Sequence, residues 1–156
     1  MERLLVLFSM LFLHIVDDYY LQGILAKMKQ KKWWVENAPD KLYENDYIMA
    51  LVMHSLSWSF MISIPLVWWN GFELSWVILI MFFINAIAHG IIDHLKANCF
   101  KINLVEDQTL HLSQITMTAL IVTKFGEWHT IVTGFLYVLI FSAFVFLLTT
   151  DRRTKN

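Results

Sequence analysis

The chain has one cysteine, Cys99, in 156 residues, which excludes an internal disulfide and any Cys-rich zinc or iron–sulfur motif. Any metal it binds must be held by histidine and carboxylate. There is no basic stripe, and 12 Lys/Arg against 13 Asp/Glu leave a net charge of -1, so nucleic acid is not an expected partner. No G-x-S-x-G stretch occurs, which disfavours a serine hydrolase, and no repeat or low-complexity tract is visible. A small-x-small cleavage site is also missing after the apolar run Leu4 to Leu13. The N-terminal segment, which otherwise begins like a signal peptide, is therefore expected to be a retained transmembrane helix.

What the chain has in quantity is apolar surface: 58% hydrophobic residues, 15% aromatics and a mean hydropathy of +0.54. That describes an integral membrane protein rather than a soluble domain. The expected fold is all-α, a polytopic membrane helical bundle formed as one domain over 1–156. Five apolar segments can be drawn, 3–22, 47–69, 74–97, 107–123 and 130–149, each near the ~20 residues needed to cross the hydrocarbon core. The fourth carries Gln114 and several threonines and is expected to be a full span or a short or re-entrant helix. Pro65 is expected to kink the second.

The connection 23–46 carries Lys27, Lys29, Lys31 and Lys32, then Trp33 and Trp34. It reads either as a solvated basic loop or as an amphipathic helix on an anionic leaflet, and both place it in the cytoplasm. The inside set is then Lys27, Lys29, Lys31, Lys32, Lys41, Lys96, Lys101, Arg152, Arg153 and Lys155, leaving Arg3 and Lys124 outside. This positive-inside bias puts the N-terminus out and the C-terminus in, in a multi-pass protein of the inner (cytoplasmic) membrane. Trp68, Trp69, Trp76 and Trp128 fall at the outer boundary and Trp33/Trp34 at the inner one, as interfacial indoles do.

Three stretches place histidine and aspartate four residues apart: His14/Asp18, His89/Asp93 and Asp107/His111. Each pair shares one helix face. An Asp at mid-span costs ~2.5–3.5 kcal/mol on insertion scales, so such faces turn toward a bundle interior or a wet cavity. His14 lies about eight residues, roughly 12 Å at the helical rise, from the cytoplasmic end of its segment, and His54 and His89 lie at similar depth. The polar faces extend through Gln22 on the first segment, Asn85 and Lys96 on the third, and Gln108, Gln114 and Thr118 on the fourth. The outer halves hold almost nothing ionisable, so the cluster is expected to open to one side only. His94 points about 100° away from Asp93 and reads as an interface residue; His129 falls at the outer boundary and is excluded, while Asp17 could share the face of His14.

The motifs H-x3-D-[FY]-x2-Q (His14, Asp18, Tyr19, Gln22), H-x3-D-x2-K (His89, Asp93, Lys96) and D-Q-x2-H (Asp107, Gln108, His111), with His54 between them, resemble a family of small bacterial and phage multi-pass membrane proteins that is known as a domain of unknown function. The resemblance spans about residues 10–115. Tyr19 stands where phenylalanine is more usual, and Asp17 is an extra acid. The resemblance implies which polar residues form the family's site and brings no activity with it. A weaker similarity, in the repeated H-x3-D pattern, is to membrane-bound metal-dependent hydrolases, and it implies a reaction class.

Neutral imidazole with carboxylate oxygen suits a divalent metal, Zn²⁺ foremost, with Mn²⁺ or Fe²⁺ as alternatives. The expected ligands are His14, Asp18, His54, His89, Asp93, Asp107 and His111, with Asp18, Asp93 and Asp107 as candidate catalytic acids and bases. Gln22, Asn85 and Gln108 are expected to support the ligands, and Lys96 to steady the phosphate of a substrate. Membrane lipids are the expected partners; the oligomeric state is open. The leading reading is a metal-dependent hydrolase acting on a lipid or isoprenoid phosphate or ester. The rivals are a metal-ion or proton transporter, and a non-catalytic accessory protein whose His/Asp pairs only hold helices together.

Overall fold

The computed structural model describes residues 1–124. The fifth apolar segment, Trp128, His129 and the C-terminal basic residues lie outside them. Among the described residues every regular element is helical.

Helix α1 (Glu2–Ile15) continues without a break into a π-helical turn, Val16–Leu21, which closes with Gln22 N–H on the Asp17 carbonyl at 3.1 Å. The wider turn lets adjacent residues Asp17 and Asp18 both reach toward α4 (Asp46–Trp69), as the contacts below show. Such π-turns are rare and concentrate at functional sites. The basic connection folds into α2 (Leu25–Met28), α3 (Lys31–Asn37) and a 3₁₀ turn, Lys41–Tyr43. It is tied to the end of α5 (Trp76–Ala97) by Asn98: its carboxamide oxygen accepts from Lys31 N–H at 2.6 Å, and its NH₂ donates to the Lys29 carbonyl at 3.0 Å. Of the two readings of this connection, the segment is helical rather than a plain loop, and one side chain satisfies backbone groups on both sides of residue 30.

Helix α4 runs through Pro65 unbroken. Ser75 caps α5 by accepting from Ile78 N–H at 3.3 Å, and Asn103 caps α6 (Leu104–Lys124) by accepting from Val105 and Glu106 N–H. Both side chains fill orphan donors of a first turn. Three stretches, Glu2–Leu21, Lys41–Trp69 and Trp76–Ala97, are long and apolar enough to cross a membrane. Helix α6 is continuous over 21 residues but, with Glu106, Asp107, Gln108, His111 and Gln114 along it, is not one of them.

The bundle is divided along its length. One end buries Val6, Met10, Trp58, Ile62, Leu66, Ile78, Ile115 and Ala119 in a single apolar cluster. Beside it lies a polar layer in which Gln114 and Thr118 each bond to Asn85 at 2.9–3.1 Å. The other end, beside the basic connection, collects the histidines and aspartates. Helices α4 and α5 meet closely there at Gly90, where an added Cβ would lie 2.8 Å from Ser55 Oγ. Gly90→Ala is therefore expected to lower the melting temperature, by roughly 1 kcal/mol or more of overpacking. Adding Ser55→Ala removes the clash and should restore the melt in a thermal-unfolding assay.

Candidate metal centre

Four elements bring their polar faces together at this end. From α1 and its π-turn come His14, Asp17 and Asp18; from α4, His54 and Trp58; from α5, His89 and Asp93; from α6, Asp107 and His111. All are buried except Asp18, whose side chain keeps 8% of its surface exposed.

The tightest convergence involves four atoms on three of those elements. His54 Nε2 lies 3.0 Å from His89 Nε2, 3.3 Å from Asp93 Oδ2 and 3.5 Å from Asp18 Oδ1, while His89 Nε2 lies 3.7 Å from Asp93 Oδ2 and 4.0 Å from Asp18 Oδ1. Ligands held about 2.0–2.1 Å from a tetrahedral zinc stand roughly 3.3 Å apart. A single ring nitrogen cannot hydrogen-bond to all these neighbours, whereas one cation between them would take a lone pair from each. The donor set, two imidazoles and two carboxylates, fits a divalent metal. Two overlapping groups, Asp18/His54/His89 and His89/Asp93/His111, bring one donor atom each within 4.8 Å of one another.

The outer nitrogens of both candidate histidine ligands face partners, as metal-bound imidazoles require for orientation. His54 Nδ1 lies 3.6 Å from Asp17 Oδ2, and the other oxygen of Asp17 accepts from Ser57 Oγ at 2.7 Å. His89 Nδ1 meets His111 Nδ1 at 3.2 Å. A neutral imidazole carries one N–H, and a metal-binding nitrogen must be bare. If His89 gives Nε2 to the metal, its Nδ1–H donates to His111, whose own proton then sits on Nε2. That nitrogen points at Asp107 Oδ1, 3.5 Å away, and Asp93 Oδ1, 3.6 Å away. His111 thus supports His89 rather than binding the same ion. His111 Nε2, Asp107 Oδ1 and Asp17 Oδ2 are the buried ends of this network and have no partner at hydrogen-bond distance.

The other expected residues fall into place around this set. His14 uses both nitrogens on protein groups: Nδ1 accepts from Trp58 Nε1–H at 2.8 Å, which leaves Nε2–H to donate to Gln108 Oε1 at 3.1 Å. The geometry therefore makes His14 a strut, not a ligand. Gln108 in turn donates to Asp107 Oδ2 at 3.0 Å, and Lys96 Nζ donates to the same oxygen at 2.6 Å. Lys96, expected to face substrate, is paired within the site. Gln22 Nε2 contacts Asp18 Oδ1 at 3.2 Å and His54 Nε2 at 3.1 Å, a supporting position. Asn85 belongs to the polar layer with Gln114 and Thr118. His94 stacks on Tyr47, with ring centroids 6.2 Å apart, outside the cluster.

Three contributors were not assigned from the sequence. Asp17 could be seen beside Asp18 but not placed, because an α-helical wheel separates the two. Trp58, which stacks on His89 at 4.2 Å and 18°, sits one turn after His54 and so shares its face; that spacing was the available signal. Lys29, whose Nζ donates to Asp93 Oδ2 at 2.6 Å, reaches the site through the fold of the connection, which no local pattern reveals.

A family model described as "Protein of unknown function (DUF3307)" matches residues 6–140, a span that includes every residue of this centre. Neither the curated proteins nor the solved structures give a match. With most of its length matched by that model, and the His/Asp centre inside the match, the chain belongs to the DUF3307 family.

Proposed function

We propose that the protein is a five-span inner-membrane protein, N-terminus out, that binds one divalent ion at Asp18, His54, His89 and Asp93 and hydrolyses a lipid or isoprenoid phosphate or ester in the cytoplasmic leaflet. The observation that carries this reading is that His54 Nε2 and His89 Nε2 lie 3.0 Å apart and each comes within 3.3–4.0 Å of both Asp18 Oδ1 and Asp93 Oδ2. Zn²⁺ is the first candidate, Mn²⁺ and Fe²⁺ the alternatives. When bound, such an ion polarises a substrate oxygen and lowers the pKa of water toward ~7. The chain's own residues supply the rest. Asp17 and His111 orient the two imidazoles, and Trp58 walls one side. Asp107, outside the ligand set, faces His111 and is the acid placed to take up a proton from the site. The apolar cluster at the far end supports a centre open to one side over a conduit through the bundle.

Elemental analysis of protein purified in mild detergent tests the reading. The parent should carry about one equivalent of metal, as one four-ligand site implies, and His89→Ala should carry none. A metal-free parent, or a variant that keeps the parent's content, ends the proposal. Phosphate release from a lipid phosphate should disappear with the metal.

A further inference from the structure

A cleft of about 350 Å³ opens onto the centre between the π-turn, α2 and α5. Its lining includes buried Asp93 and nearly buried Asp18 as well as exposed Tyr19, Phe100 and Leu104, which supply its apolar wall. Lys29 and Lys96 also line it, yet each is tied to a carboxylate of the site, Lys29 to Asp93 Oδ2 and Lys96 to Asp107 Oδ2, both at 2.6 Å. As it stands the cleft presents acids and spent cations, which repel an anion.

The oxygen that Lys29 occupies is the one Asp93 turns toward His54 and His89. A cation held there and the Lys29 ammonium would compete for one oxygen at close range, where like charges repel strongly. Lys29 follows the four-residue helix α2 as its C-cap, and its side chain, 13% exposed, lines the cleft, so the cleft is open to it when it withdraws. We infer that metal binding releases Lys29 from Asp93 into this cleft, where its freed ammonium anchors a phosphate monoester. The inference rests on the metal reading above and adds the substrate group and the order of binding, metal first.

The apolar wall fits a phosphate that carries an apolar tail. Phe100 lies in the turn after α5 with φ +54°, beside a closing bond from Lys101 N–H to the Leu95 carbonyl at 2.9 Å. That left-handed position normally selects glycine. An exposed phenylalanine there accepts backbone strain and places an aromatic ring at the cleft's rim, as strained residues at functional sites do.

The test is a titration of inorganic phosphate into protein in phosphatidylcholine nanodiscs, Mn²⁺-loaded or stripped with EDTA, with Mn²⁺ content measured in parallel. The Mn²⁺-loaded parent should bind phosphate at least ten-fold more tightly than the stripped protein. Lys29→Met should keep its Mn²⁺ and lose that ten-fold gain, and Lys29→Arg should regain it. Equal affinity in loaded and stripped protein overturns the inference, as does Lys29→Met binding phosphate like the parent. A parent that takes up none of Zn²⁺, Mn²⁺ or Fe²⁺ instead fails the metal reading, and the two failures are told apart by the metal assay. Discs containing phosphatidic acid identify the source: competition with free phosphate marks a lipid headgroup, and its absence marks a soluble phosphate ester.

Discussion

Asp93→Asn is expected to empty the metal centre and lower the melting temperature, and adding Lys29→Met is expected to restore the melt without restoring the metal. Asp93 is where the site's contacts cross. Its Oδ2 lies 3.3 Å from His54, 3.7 Å from His89 and 2.6 Å from Lys29, and its Oδ1 lies 3.6 Å from His111. An amide keeps the shape but offers one neutral oxygen, too weak a donor for the ion. The loss of a direct ligand should exceed the ~100-fold that removing an outer partner costs. Stability falls for a different reason: the Lys29 ammonium, with 13% of its side chain exposed, is left without its counter-charge. Breaking one half of a buried pair costs roughly 3–5 kcal/mol, and the partial exposure of Lys29 argues for the lower end. Elemental analysis and thermal melts in the same detergent separate the effects. Metal retained in the double variant would remove Asp93 from the ligand set; a single variant that melts like the parent would show that Lys29 owes nothing to it.

Trp58→Ala should give the largest loss of stability, about 3–5 kcal/mol, as for other buried aromatics. Trp58 is fully buried and joins the two ends of the bundle: it belongs to the apolar cluster, donates to His14 and stacks on His89. Trp58→Phe separates these roles. The ring remains against His89, but His14 Nδ1 loses its donor, at a cost of about 1–3 kcal/mol. Both variants keep the proposed ligands, so both should still take up metal at saturating concentration. Denaturant unfolding followed by far-UV circular dichroism checks the order, parent above Phe above Ala. If Trp58→Phe unfolds with the parent, the indole bond to His14 contributes nothing.

The helices were legible because their signals are local. Apolar runs marked α1, α4 and α5 to within a few residues, and four-residue spacing put His89 with Asp93 and Asp107 with His111 on shared faces. The meeting of His54 with these pairs agrees with the similar number of residues that separates each from the end of its helix. What stayed hidden depends on departures from ideal geometry or on contacts across the fold. The π-turn brings Asp17 to His54 by widening a helix, and a wheel drawn at 3.6 residues per turn cannot show it. His14 has the residue type and spacing of a ligand, and only the indole of Trp58 on one nitrogen and Gln108 on the other reassign it. Lys29 looked like one basic residue among five in the connection until Asn98 fixed where that segment folds back.

The pairing of lysines with site carboxylates also sets an electrostatic balance. Asp17, Asp18, Asp93 and Asp107 bring four carboxylates into the cluster, and Lys29 and Lys96 bring two ammonium groups. With neutral histidines and ionised acids, two negative charges remain in a low-dielectric interior, where uncompensated charge is costly. One divalent ion cancels them. A monovalent ion would leave a charge over and a second divalent ion would add two of the opposite sign, so with that charge state electroneutrality favours the single divalent ion of the proposed centre.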